Sequence, residues 1–99
     1  LYKYEKAIKY TKRAITLNPQ NADTYYNLGV MLYDYNKKDN YASSVLNLKK
    51  AIELDPKHAR AYKALGMIFH DNGKPFQYYL NKAYELDPTL KNSNRSLLK

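Results

Sequence analysis

Apolar and aromatic positions along this chain return every third or fourth residue. Tyr4, Ile8, Thr11 and Ile15 are separated by steps of four, three and four, and Tyr41, Val45, Leu48 and Ile52 repeat those steps. Tyr25, Leu28 and Leu32 step by three and four, as do Tyr62, Leu65 and Phe69. Such spacing lays one stripe along one side of a helix and leaves Lys, Asn and Glu to the other. No stretch keeps the period of two that a half-buried strand needs. Pro19, Pro56 and Pro88 each follow Asn or Asp and stop the helix before them. Asp39 or Asn40 can cap a helix beginning at Tyr41, Gly73 can end one in the left-handed conformation, and Pro75 suits a first helical turn. The pattern predicts an all-α chain with helices over 2–17, 22–36, 41–54, 59–72 and 75–86.

The stripes are copies of one another. EKAIKYTKRAITLNP (5–19), VLNLKKAIELDP (45–56) and YYLNKAYELDP (78–88) align on Ala14, Ala51 and Ala83 and on the three prolines. Between them TYYNLGVML (24–32) aligns with AYKALGMIF (61–69), each placing Tyr three residues before a Leu-Gly pair. Pro19 to Pro56 spans 37 residues and Pro56 to Pro88 spans 32. Those spacings bracket a period of about 34, the length of one helix-turn-helix unit. Gly29 and Gly66 fall on the buried stripes. A glycine inside a helix costs about 1 kcal/mol against Ala, so close helix approach is the expected compensation.

Residues 4–88 resemble the tetratricopeptide repeat family. Tyr25, Leu28, Gly29, Leu32, Ser44, Leu48, Ala51 and Pro56 fill its pattern once; Tyr62, Leu65, Gly66, Phe69, Phe76, Leu80, Ala83 and Pro88 fill it again. Tyr4, Ala7, Thr11, Ala14 and Pro19 supply the opening half. Sel1-like repeats are a more distant alternative. The resemblance implies a right-handed solenoid of antiparallel helical hairpins, about two and a half repeats long. Residues 1–21 would be the second helix of a truncated repeat, 22–56 a complete repeat, and 57–88 a complete repeat with a shortened turn. Residues 89–99 would form a basic tail able to start a further helix. Three extra residues in Tyr35–Asn40 are expected to enlarge the turn between hairpin helices. Phe76, where the family prefers a small residue, is expected to open the last hairpin.

Composition narrows the function classes. The 99 residues lack cysteine, which excludes disulfides and thiol-bound zinc and points to an intracellular setting. No apolar run approaches the ~18 residues of a membrane span, so no membrane role is expected. The net charge of +8 collects at the two ends: residues 1–21 hold five basic residues against Glu5, while 22–88 hold nine against eight acidic. A nucleic-acid reader would concentrate charge on one face. Basic residues interleaved with tyrosine over Tyr2–Arg13 suggest RNA stacking as a second alternative, yet helical spacing turns Tyr4 toward the core.

Catalytic chemistry finds no foothold. Three glycines make no phosphate loop, and His58 and His70 have no partner at metal-ligand spacing. The chain is read as no enzyme, with no cofactor or metal. Asn94-Arg95-Ser96 matches a glycosylation acceptor by composition alone.

The resemblance therefore implies a scaffold or adaptor that holds an extended peptide or partner helix in a concave groove, as part of a longer protein. The alternative is a docking or regulatory arm of an enzyme whose catalytic part lies elsewhere. By the resemblance, the groove candidates are Asp23, Tyr26, Asn27, Val30 and Tyr33 from one helix, and Arg60, Lys63, Met67 and His70 from the next. Arg60 and Lys63, expected on the surface and only partly offset by Asp23, favour an acidic protein or peptide partner. Ala64 stands where carboxylate-clamping relatives carry Arg, which disfavours that use. Self-association is expected through an apolar strip on the first helix that includes Ile8 and Ile15.

Overall fold

The structure, a computed structural model, describes residues 2–91. The order is α1 (Tyr2–Leu17), α2 (Ala22–Tyr35), α3 (Lys37–Leu54), α4 (Ala59–Asp71) and α5 (Gln77–Leu86), with no strand among the described residues. A further helical turn begins at residues 89–91. The glycosylation triplet and the rest of the basic tail lie outside the described residues.

Each helix packs on its neighbours in sequence, and the tightest pairs are the hairpins α2–α3 and α4–α5. The same local chemistry recurs at each junction. Asn18, Asp55 and Asp87 close α1, α3 and α5 by donating their N–H to the carbonyls of Ala14, Ala51 and Ala83 at 2.9 Å. Their side chains then accept from the N–H two residues on, at Gln20, Lys57 and Thr89. This Asx turn wraps the intervening proline, which itself forbids the helical conformation at the preceding residue. Asp55 and Asp87 accordingly have ψ of 93°.

Asn36 overturns one expectation. The extra residues at Tyr35–Asn40 do not enlarge a turn; they lengthen α3, which starts at Lys37 rather than Tyr41. Asn36 alone separates the helices, donating its N–H to Leu32 O while its Oδ1 accepts from Asp39 N at 3.1 Å. Its amide also donates to Asp39 Oδ2 at 2.9 Å, and Asn40 Nδ2 donates to Leu32 O at 2.8 Å. A helix end and a helix start thus share one capping residue. The shorter second repeat is short because α5 has only 10 residues against 18 in α3. Its turn is the longer one, not the tightened one expected. Gly73, at φ 67°, ends α4: Lys74 N–H bonds Phe69 O and Gly73 N–H bonds His70 O.

Phe76 does not open the last hairpin. It precedes α5, half-buried against the core, and sets its ring edge-on to His70 at 4.6 Å. The helix contact is close: a Cβ on Gly66 would lie 2.6 Å from Leu80 Cδ2, and one on Gly29 2.9 Å from Leu48 Cγ. The core runs through both hairpins, with Leu48, Ala51, Ala61 and Leu65 fully enclosed. Among the described side chains, none of the first helix belongs to it. On α1, Ile8 and Ile15 are half-buried rather than displayed; the exposed apolar residues are Tyr4, Tyr10 and Leu17. Ala14 is exposed as well.

Candidate functional site

The first helices of the two hairpins, α2 and α4, run parallel. Asp23 Oδ1 meets His58 Nε2 at 2.7 Å beside their N-terminal ends, and Tyr33 O–H donates to Asp71 Oδ2 at 3.1 Å near their C-terminal ends. Between these ties lies a trough of about 520 Å³. From α2 it is lined by Tyr26, Val30, Tyr33 and Asp34, and from α4 by Arg60, Lys63, Ala64, Met67, Ile68 and Asp71. Lys37 and Leu90 complete it.

Six of the nine expected groove residues line this trough: Tyr26, Val30, Tyr33, Arg60, Lys63 and Met67. The other three do not. Asp23 sits at the first turn, holding His58, and Asn27 is exposed outside the lining. His70 is exposed and packs on Phe76, because it lies about 80° around α4 from Arg60 at 100° per residue. Asp71 lies only about 20° from Arg60 by the same geometry and takes its place. Periodicity alone would have found Ala64 and Asp71, since both continue the Arg60 stripe by steps of four and seven.

Lys63 also departs from expectation. It is 7% exposed, its stem covered and its Nζ donating to Leu90 O at 3.0 Å. Burial lowers its pKa below the ordinary lysine value, since desolvation disfavours the ammonium. Lys63 therefore positions the chain at residue 90, which forms the far wall. Arg60 is the exposed cation of that end. Tyr26, half-buried, has its pKa raised first by burial, with Arg60 opposing and Asp23 and Asp34 adding to the rise.

Tyr33 is 7% exposed and belongs to the core as well as to the trough wall. Its hydroxyl donates to Asp71 and accepts from Asn72 Nδ2 at 3.1 Å. Lys37 Nζ lies 5.6 Å from its ring centroid, a cation–π distance. Burial is the main cause of its raised pKa. The Tyr33 wall of the trough is thus pre-organised, with its hydroxyl already committed.

His58 escaped the sequence reading. It stands 37 residues after Asn21, the residue that caps α2 by accepting from Asp23 N at 3.0 Å. At the matching place His58 caps α4: Nδ1 accepts from Ala61 N at 3.2 Å. That bond leaves Nε2 to carry the proton and donate to Asp23. Tyr26 lies against the imidazole with centroids 5.0 Å apart. One residue thus caps a helix, ties the two repeats and supports a groove ring.

A family model described as TPR repeat matches residues 2–34 and 33–73. Among solved structures, the chain is similar to the crystal structure of MamA, with a TM-score of 0.76 and 29% identity. That likeness covers 91% of this chain and 52% of the other, so the chain spans about half the length of MamA. No curated protein matches it in sequence. Among the described residues, no helix is long and apolar enough to cross a membrane.

Proposed function

Starting from the chain's membership of the tetratricopeptide repeat family, whose repeats serve as protein–protein interaction modules, we propose that the α2–α4 trough holds an extended segment of a partner protein. The single observation that carries this is the trough itself. A pre-organised, partly apolar channel lies between parallel helices, with Val30, Ala64 and Met67 in its middle and the exposed Arg60 at one end. Its volume suits a few side chains rather than a globular element. Tyr26 and Tyr33 present ring area whose rotamers are already fixed, which lowers the ordering cost of binding. Arg60 suits an acidic residue in the segment. Lys63, buried on Leu90 O, shapes the wall rather than meeting the ligand's charge.

The test begins with peptides selected for binding from an unbiased display library. Arg60→Glu combined with Met67→Ala should weaken the selected peptides about tenfold or more, since a like-charge contact replaces a favourable one and apolar contact is lost. The control, Lys49→Glu with Lys50→Glu on α3, should leave them bound. Equal loss in both variants would mean general surface charge is at work and would remove the groove reading.

A further inference from the structure

The charges along the trough are not scattered. Toward the N-terminal ends of α2 and α4 stand Arg60 and Lys63; toward their C-terminal ends stand Asp34 and Asp71, with Lys37 between. The two acids outnumber the one amine there, and that amine sits over the Tyr33 ring. The helix dipoles add in the same sense, positive at the Arg60 end and negative at the Asp71 end. Neither Asp23, held by His58, nor Asp87, held by Thr89, lines the trough, although Arg60's charge reaches Asp87. Apolar Val30, Ala64 and Met67 occupy the stretch between.

Length then sets the spacing an extended ligand would need. Eleven residues of α4 from Arg60 to Asp71 rise about 16 Å, and eight of α2 from Tyr26 to Asp34 about 12 Å. An extended chain advances about 3.3 Å per residue and turns every second side chain to the same side. Side chains at i, i+2 and i+4 of an extended segment therefore span about 13 Å and all face the trough. A helical ligand would need about nine residues for that span.

We propose that the trough reads charge order: it selects an extended partner segment with an acidic and a basic residue four positions apart and an apolar residue midway. The acid meets Arg60 and the base meets Asp71 and Asp34. This rests on the reading that the segment lies in the trough.

The experiment uses the full chain and four synthetic peptides of equal length with a central Leu. Their flanking pairs are Glu and Lys, Lys and Glu, Glu and Glu, or Lys and Lys, at positions i and i+4. By fluorescence anisotropy, the better of the two mixed peptides should bind about fivefold tighter than either like-charged one, the scale of one or two exposed pairs. Asp34→Asn combined with Asp71→Asn should erase its advantage over the Glu–Glu peptide, because the amide oxygen at 71 can still accept from Tyr33 but neither side chain carries charge. Arg60→Gln should erase its advantage over the Lys–Lys peptide. A Glu–Glu peptide that binds as tightly as the mixed ones overturns the proposal, as does an advantage that survives the double change at Asp34 and Asp71. Peptides that bind and respond to Arg60→Gln yet ignore the residue at i+4 overturn this inference alone. No binding by any of the four overturns the groove reading with it.

Discussion

Replacing Gly66 by Ala should destabilise the protein although Ala is the better helix former. A Cβ at this position would lie 2.6 Å from Leu80 Cδ2, 2.8 Å from Leu80 Cγ and 3.2 Å from Leu80 N. The side-chain atoms can swing, but the backbone nitrogen moves only with α5. Forced overpacking of this kind costs about 1–3 kcal/mol. The Gly-to-Ala change within a helix returns about 1 kcal/mol. The net expectation is a loss of about 0–2 kcal/mol, read as a lower urea midpoint. The cost should shrink when the side chain is cut back. Leu80→Ala takes away the atoms at 2.6 and 2.8 Å but leaves Leu80 N at 3.2 Å, so on that background Gly66→Ala should cost clearly less than in the parent, helix propensity offsetting what remains. Leu80→Ala itself costs about 2–5 kcal/mol, so the series is best measured with an osmolyte that favours the compact state. If Gly66→Ala stabilises the parent, or destabilises both backgrounds equally, the α4–α5 contact is not what Gly66 permits.

Two further outcomes follow from the junctions. His58→Ala should cost about 1–2 kcal/mol by removing a side-chain helix cap, which leaves Ala61 N–H with only its 3.1 Å bond to His58 O. His58→Asn should recover most of it, as Asn21 caps α2, and thermal melts of the three proteins compare them directly. For Asp87, the hydrogen bonds from the Thr89 hydroxyl and N–H lower the pKa below the ordinary carboxylate value. A lowered folded pKa gives stability that is present above the unfolded value of about 4 and lost as pH falls through the folded one. Asp87→Asn keeps an acceptor and cannot titrate. Its melting temperature should therefore drop less than the parent's between pH 6 and 3, and an equal drop would contradict the assignment.

Much of this architecture was legible because helix and repeat obey simple arithmetic. The three- and four-residue steps located four helices, the repeat alignment located the fifth, and the recurring Leu-Asn/Asp-Pro ends located the junctions. The glycine pair announced the tight contacts that Leu48 and Leu80 make. Asn36 was missed because Asn-Lys-Lys-Asp reads as a polar loop. Its signal was the Asn-x-x-Asp spacing, in which Asn36 and Asp39 bond each other's groups. Within the groove, Tyr26, Val30 and Met67 followed from the resemblance, while His70 was chosen where Asp71 stands. That error comes from counting turns without following the angle around α4. Lys63 was read as surface because its charge is visible in sequence, whereas the burial of its stem depends on residue 90, far along the chain. His58 depended on seeing that imidazole Nδ1 can replace an amide oxygen as a cap.

The central claim, that the α2–α4 trough holds a partner segment, is tested most directly by methyl and amide NMR of the full chain titrated with a library-selected peptide. Val30, Ala64, Met67 and Ile68 should shift and show contacts to the peptide, with Leu46 and Tyr78 on the second helices unmoved. Shifts centred on Leu46 or Tyr78, with Val30 and Met67 unchanged, would contradict it.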